Sequence, residues 1–265
     1  MGPSPKRESR MLFWQLLLGG TGLAAWQLFV KAGWLDRFYF SSPSEIAVRV
    51  WELFRGGSVW VHLATTISEA TLSFVIGVLI GVAVGFLLGR RAWMARLLDP
   101  YLRLANAIPR VVLAPMFLLW FGLGIWSKVA LGVTVVFFIV FFNTYQGVRD
   151  VSPALINSVR MLGASETQLV RHVLVPSVLT WIFSSLHLSI GFSIIAAVVG
   201  EYLGSSRGVG YMIAQSEGVL DTTGVFAGIA ILSGLVLVVG AGVARIERRM
   251  LRWKPQRVDY AWEMK

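Results

Sequence analysis

The chain has 265 residues, of which 56% are hydrophobic and 14% are charged, and its mean hydropathy is +0.69. This composition is too apolar for a soluble domain of this length and indicates an integral membrane protein. The absence of cysteine excludes disulfides, thiolate metal sites and cysteine nucleophiles. The net charge of +10 is typical of a membrane protein whose basic loops set its topology, so it does not indicate a nucleic-acid partner.

The N-terminal part predicts one span and one interfacial helix. Residues 11–30 carry no charge and follow a basic segment, which favours a first span with a cytoplasmic N-terminus. A secretory signal is the alternative, but the end of this stretch offers no small-residue cleavage site. Residues 31–60 would then lie outside. Within them Ser44 is predicted to cap an amphipathic helix, whose apolar face is formed by Ile46, Val50, Leu53 and Phe54.

Two distinctive patterns mark the second and third spans. The second span, residues 67–89, carries glycines at a four-residue period, which allows a neighbouring helix to approach closely: Gly77, Gly81, Gly85 and Gly89. Residues 90–103 are predicted to form a basic cytoplasmic loop. The third span, residues 104–122, contains Pro109 and Pro115, so we expect a broken helix inside a bundle or beside a watery path. Arg110 is predicted to anchor its cytoplasmic edge.

Three further spans complete the chain. Residues 129–145 predict the fourth, and Pro176 opens a fifth that runs to about residue 200. A glycine-rich external segment, residues 201–223, precedes a sixth span over residues 225–244. Most of the 24 lysines and arginines then fall on one side, which favours two cytoplasmic ends. We therefore expect an all-α polytopic membrane protein with about six transmembrane helices.

Residues 149–176 form a long polar interruption between the fourth and fifth spans. The Ser-Pro pair at 152–153 is typical of a helix start, and Gly163 would end that helix. Ser165 with Gln168 is a capping box that starts a second short helix. The interruption therefore predicts a cytoplasmic knob of two short helices. From spacing alone, an amphipathic loop on the membrane surface is the alternative.

The sequence contains no visible catalytic constellation. It lacks the glycine-rich lysine motif of a P-loop, and none of its three histidines pairs with another at metal-ligand spacing. A membrane-embedded hydrolase that uses His187 or Ser189 is a remote alternative, because both residues lie on one predicted helix. A transport or channel role therefore leads an enzymatic one, and we expect no metal or cofactor in this chain.

Polar groups at membrane depth are the candidates for a translocation path. Such groups are costly in hydrocarbon unless they face a bundle or water. The candidates are Asn106, Asn143, His187, Glu201 and Tyr202.

Residues 157–176 carry a resemblance to a known family. They read N-S-V, three residues, glycine, nine residues, then V-x-V-P. This is similar to the cytoplasmic coupling motif of ABC importer permeases, which usually begins with Glu-Ala-Ala and ends with Ile-x-Leu-Pro. Asn157 stands where the family has its glutamate, so coupling would rest here on shape and on Arg160 or Glu166.

The resemblance extends over most of the chain. Within that family, the sequence is similar to the nitrate, sulfonate and taurine branch. The further stretches that carry it are residues 42–44, 99–100 with 108–109, 119–122, 143–149, 200–201 and 208–213. It implies a single permease domain over residues 1–265, divided into a first span with the interfacial helix (1–59), a transport core (60–245) that includes the coupling segment (149–176), and a cytoplasmic tail (246–265).

The resemblance also implies partners. Two copies of the chain would form the path in the bacterial inner membrane, and two copies of a cytoplasmic ABC ATPase would bind ATP and Mg. The implied ATPase-coupling residues are Arg160, Leu162, Gly163, Ala164, Ser165, Glu166, Gln168, Leu169, His172 and Pro176. An external solute-binding protein would touch residues 31–60 and 201–223.

The implied substrate is a small oxyanion such as an aliphatic sulfonate, taurine, nitrate or bicarbonate. A thiamine precursor, riboflavin or an aromatic acid is the alternative within the family. Outside the family, a stand-alone channel or secondary carrier remains the alternative from the residues alone.

Overall fold

The computed structural model describes the backbone of residues 5–250 and the side chains of residues 10–243 and of Arg245. Within these residues all regular structure is helical. The helices are α1 (Pro5–Lys31), α2 (Arg37–Phe40), α3 (Pro43–Arg55), α4 (Ser58–Arg90), α5 (Ala92–Ala107), α6 (Ala114–Phe121), α7 (Ile125–Arg149), α8 (Pro153–Met161), α9 (Glu166–Leu169), α10 (Val175–Leu203), α11 (Val209–Gly218) and α12 (Thr222–Met250). A 3₁₀ turn, Arg110–Leu113, precedes α6, and a π-helical turn, Val170–Leu174, joins α9 to α10.

Six segments in the described part of the chain can cross a membrane. Five are single helices of sufficient length and apolarity, namely α1, α4, α7, the continuous α9–α10 and α12. The sixth is the pair α5 and α6, which is bent by 85° at a short break. The prediction of an all-α, six-span protein is therefore confirmed, including its broken third span. The predicted tail lies largely beyond residue 250, outside the described residues.

The core of the bundle is formed where α4, α7 and α10 pack together, and the glycine stripe makes this packing possible. The four glycines of the stripe face α7. A Cβ placed on Gly77 would lie 2.7 Å from the Cβ of Val136, and one on Gly89 would lie 2.6 Å from that of Val148. Since membrane helices associate through close packing, small residues are required along this face. The predicted close approach is confirmed.

The interfacial helix is α3, and its predicted apolar face packs against the core. Val50, Leu53 and Phe54 contact a buried cluster formed by Val59, Val209 and Ile231. The predicted cap is wrong by two residues, because the hydroxyl of Ser42 accepts the hydrogen bond from the amide of Glu45 at 3.4 Å. Pro43 therefore occupies the first turn, where its missing N–H costs nothing.

Three predicted boundaries change in the structure. Residues 92–103, predicted as a loop, belong to α5, whose apolar side chains recur at helical spacing. The predicted external segment 201–223 contains the whole of α11, and Glu201 still belongs to α10. The second helix of the knob is not short, because α9 continues through the π-helical turn into α10. Proline is tolerated there since Pro176 lies in the first turn after that irregularity.

Candidate functional site

The coupling segment is a tight turn between α8 and α9. Gly163 adopts a left-handed φ of +82°, and its amide donates to the carbonyl of Arg160 at 2.9 Å. A side chain at this position would be strained, which explains why glycine ends α8. The turn leaves two large apolar side chains in the open, with Met161 82% exposed and Leu162 87% exposed.

The second half of the turn is held by the predicted capping box. The amide of Gln168 donates to the hydroxyl of Ser165 at 3.3 Å, and the amide of Ser165 donates to Oε1 of Gln168 at 2.8 Å. This reciprocal pair satisfies two free amides at the helix start. Because α9 runs on into α10, the cap fixes the turn directly onto a membrane-spanning helix.

Glu166 ties the turn to two other helices. Its carboxylate accepts a hydrogen bond from Arg160 in α8 at 2.7 Å and one from Arg90, the last residue of α4, at 3.2 Å. Asn157 itself is exposed on α8. The acidic group of this segment is therefore placed after the glycine, in an ion network that joins α8 and α9 to α4.

The predicted coupling residues fall into exposed and buried groups. The exposed ones are Arg160, Leu162, Gly163, Ser165, Glu166, Gln168, His172 and Pro176, and Ala164 is half-buried. Leu169 is buried, so its side chain supports the helix start and presents no surface for a partner.

Arg110 lies at the break in the third span. Its guanidinium donates to the carbonyls of Ala105 at 2.7 Å and Ile108 at 2.6 Å, and it also contacts Asn106. These carbonyls lose their helical partners where α5 ends at the Ile108-Pro109 step. The guanidinium therefore caps the end of α5 within the bundle.

The path candidates have different surroundings. Asn106 is exposed, and its side-chain oxygen accepts from Arg110 at 3.0 Å. Asn143 is half-buried and donates to the carbonyl of Ile139, one turn earlier in α7, at 2.8 Å. His187 is exposed on α10. The hydroxyl of Tyr202 is hydrogen-bonded to Glu217. These residues are distributed over α5, α7 and α10.

Glu201 belongs to a buried polar cluster that sequence reasoning missed, at the end of α10 opposite the coupling segment. Its carboxylate accepts from the hydroxyl of Thr66 at 2.6 Å and from the amide of Gly210 at 2.7 Å. Glu69 of α4 lies beside it, and the buried Oε2 of Glu69 has no hydrogen-bond partner among the described residues. Glu69 and Glu201 are each only 1% exposed. Glu201 therefore holds elements together and does not line an open path.

Lys128 supplies the positive charge of this cluster. Its side chain is fully buried, and its ammonium donates to the carbonyls of Leu123 at 2.6 Å and Gly124 at 3.1 Å. A Cβ placed on Gly200 of α10 would lie 2.9 Å from its Cγ, so the side chain packs against α10 next to Glu201. The cluster thus joins α4, α10, the start of α7 and the turn that ends the third span. A lone carboxylate in an apolar span, such as Glu69, was the available signal.

The same cluster fixes the start of α11. The first three amides of this region each have a side-chain acceptor: Gly208 donates to His62 at 3.0 Å, Val209 to Thr66 at 3.0 Å, and Gly210 to Glu201. Free amides at a helix start would otherwise be buried without partners. The loop before α11 is thereby attached to α4 and α10.

At this same end, the two segments predicted to touch a binding protein form one surface. Arg49 of α3 donates to Asp221 at 2.7 Å, and the hydroxyls of Ser41 and Thr223 lie 2.8 Å apart. Between them is a cavity of about 730 Å³, lined by residues 37–52 of α2 and α3 and by residues 220–223.

A turn with an exposed apolar tip, fixed to a spanning helix in a six-span all-α bundle, is the architecture of a transport permease. Comparison with known proteins agrees. The model of the binding-protein-dependent transport system inner membrane component family matches residues 77–252. The chain belongs to this family, and it is a multi-pass permease subunit of the ABC importer class. This confirms the resemblance found in the sequence.

Individual relatives cover most of the chain. SsuC of Bacillus subtilis, a permease protein assigned to aliphatic sulfonates transport, is 34% identical over 239 residues, which are 90% of this chain and 87% of the relative. ThiX of Halalkalibacterium halodurans, a formylaminopyrimidine transport permease protein, is 32% identical, with coverages of 82% and 86%.

The fold also matches a solved transporter. A chain of a bacterial ABC transporter involved in the import of the acidic polysaccharide alginate superposes with a TM-score of 0.63, over 91% of this chain and 93% of that one. Its sequence identity of 15% means that this match concerns the fold alone.

Proposed function

We propose that two copies of this chain form the translocation path of an ATP-driven importer in the bacterial inner membrane, with both termini of each copy in the cytoplasm. Two copies of a cytoplasmic ABC ATPase bind ATP and Mg and drive the cycle. An external binding protein delivers a small solute. The chain itself is not catalytic.

The observation that carries this proposal is the coupling segment. Its apolar tip at Met161 and Leu162 is more than 80% exposed, although large apolar side chains favour burial. The tip is held rigidly by the left-handed Gly163 and by the Ser165 capping box. Because the capped helix continues into a span, a displacement of the tip is transmitted into the membrane. A groove on an ATPase is the partner that this arrangement fits.

The opposite end supports the docking of a binding protein. There α3 and the turn before α12 are linked by the Arg49–Asp221 pair, so the two predicted contact segments lie side by side. The cavity between them carries arginine, glutamate and aspartate side chains, which suits a polar and reversible protein contact.

For the solute, we propose a small oxyanion such as an aliphatic sulfonate, taurine, nitrate or bicarbonate. The similarity to the sulfonate permease supports this class. The similarity to ThiX supports a second candidate, a permease for a heterocyclic or aromatic solute such as a thiamine precursor, riboflavin or an aromatic acid.

The docking site is tested by crosslinking, which the cysteine-free chain makes direct. A cysteine introduced by Ala164→Cys should crosslink to a cysteine placed in the groove of the partner ATPase. The control, Leu220→Cys at the opposite end of the bundle, should give no product with the same ATPase. Complex formation without any Ala164→Cys crosslink, across several groove positions, would count against this docking site.

Uptake by lipid vesicles containing the purified complex separates importer from carrier. The importer should require internal ATP and the external binding protein. Uptake driven by an ion gradient without ATPase would instead indicate a secondary carrier. A variant with both His187→Ala and Ser189→Ala should retain transport, whereas a membrane-embedded hydrolase would lose its activity. Calorimetry of the cognate binding protein with a panel of sulfonates, nitrate, bicarbonate, riboflavin and aromatic acids identifies the solute class.

A further inference from the structure

The guanidinium of Arg110 packs against the middle of a spanning helix. Its Cζ is 4.5 Å from the ring centroid of Phe138. Phe138 stands at the centre of α7, whose 25 residues extend over about 37 Å and cross the bilayer. A residue that packs on the middle of a spanning helix is therefore far from either water interface.

This charge has no acidic partner among the described side chains. The five ion pairs found there involve other arginines. The partners of Arg110 are neutral: the carbonyls of Ala105, Asn106 and Ile108 and the side-chain oxygen of Asn106, at 2.6–3.2 Å. They hold the guanidinium in place and leave its unit positive charge uncompensated.

The break beside Arg110 places irregular backbone next to an uncompensated charge. At the Ile108-Pro109 step the backbone is extended, and the following turn exposes Val111 and Val112. Irregular backbone at membrane depth is tolerated only where it is buried in protein or lines a watery cavity. An uncompensated charge has the same requirement. Both features argue against contact of this face with lipid, and a water-filled path between two copies of the chain meets both requirements.

A cavity toward the coupling end continues the same sign of charge. It has a volume of about 550 Å³ between α5 and the end of α7 and is lined by Arg96, Arg103 and Arg149 with Asp99 as its acidic residue. Asp99 is paired with Arg103 at 2.7 Å. The cavity is therefore net positive, as is the break above it.

We propose that Arg110 makes the translocation path selective for anions, by placing a fixed positive charge at mid-membrane that favours an anion there and disfavours a cation. Arg110 is a specificity-determining residue and acts through its field, since its hydrogen bonds are already made to the break. This inference rests on the proposed function, in which the chain forms a path for a small solute. It favours an oxyanion over a neutral heterocycle.

The test measures the charge preference of the path without using the transported solute. Single cysteines are introduced by Val111→Cys or Val112→Cys, which sample two directions of the same turn, in the full chain assembled with its ATPase in lipid nanodiscs. The probes are an anionic sulfonatoethyl and a cationic trimethylammonioethyl methanethiosulfonate. The measured quantity is the ratio of the two modification rates in the presence of Arg110, Arg110→Lys or Arg110→Gln.

We expect at least one of the two cysteines to react, with a ratio that favours the anionic reagent. The ratio should fall about tenfold or more in Arg110→Gln and be kept in Arg110→Lys, because a unit charge nearby changes the two rates in opposite directions. Val219→Cys is the control. Val219 is exposed directly after α11, and the ratio at this residue should not depend on residue 110.

Three outcomes would overturn the inference: no reaction at either cysteine, an unchanged ratio in Arg110→Gln, or an equal loss in Arg110→Lys. If Arg110→Gln does not assemble, the chain that keeps Arg110 is still a test, because its ratio at whichever of residues 111 and 112 reacts must exceed the ratio at residue 219. A path with the expected charge preference in a complex that carries no anion would refute the proposed substrate class and leave the role of Arg110 intact.

Discussion

The continuous helix α9–α10 carries a glutamate near each end, and the two have opposite environments. Glu166, at the coupling end, has a side chain that is 59% exposed and is paired with Arg90 and Arg160. Glu201, at the other end, is 1% exposed and accepts hydrogen bonds from the hydroxyl of Thr66 and the amide of Gly210. The helix α9–α10 therefore connects the exposed ion pairs of the coupling end to the buried polar cluster at the other end.

Because of this difference, the permease can be rigid at its buried end and adjustable at its coupling end. Exposed ion pairs contribute little free energy and can be remade as a partner binds. A buried polar cluster is costly to disrupt, because a donor or acceptor that loses its partner there is left away from water. We therefore expect substitutions at the buried end to act on folding and those at the coupling end to act on the partner.

The largest effect is expected for Lys128→Met, which leaves the carbonyls of Leu123 and Gly124 without their buried donor. A buried acceptor without a partner typically costs about 1–3 kcal/mol. The midpoint of thermal unfolding of the purified chain should fall strongly. Arg103→Met is the matched control, because it breaks an exposed pair with Asp99 and should leave the midpoint nearly unchanged. Equal midpoints for the two variants would contradict the comparison.

A smaller effect, confined to the partner, is expected for Leu162→Asp. Burial of one leucine side chain contributes about 1.5–3 kcal/mol, so binding of the ATPase should weaken about tenfold or more. Co-purification of the ATPase at several concentrations measures this change. The unfolding midpoint should stay unchanged, since Leu162 is exposed within the chain. Leu162→Met should retain the ATPase, and tight binding by Leu162→Asp would show that the tip does not dock.

The smallest effect is expected for Glu166→Gln. Its two ion pairs are exposed to solvent, so their loss should change the free energy of unfolding by less than about 1 kcal/mol. A double-mutant cycle with Arg90→Gln, measured at low and high salt, gives the coupling energy between the two side chains. A coupling energy above about 2 kcal/mol would show that the coupling end is as rigid as the buried end.

The class of the protein, the number of spans and the shape of the coupling turn could be predicted from the sequence alone. Each of these depends on local information. Hydropathy over about 20 residues defines a span, the four-residue glycine period defines a packing face, and Gly163 with Ser165 and Gln168 defines a turn. The structure changed mainly the helix ends, as at residues 92–103 and at Ser42, where neighbouring residues compete for the same role.

Which polar residues share an environment could not be predicted from the sequence and was shown by the tertiary structure. Thr66, Lys128 and Glu201 are far apart in the sequence, and their meeting depends on how α4, α7 and α10 pack. Likewise, the contact of Arg110 with Phe138 depends on which part of α7 the broken span meets. A charged side chain in an apolar sequence indicates a desolvation cost. The groups that compensate for this cost come from other parts of the fold, which the sequence pattern does not identify.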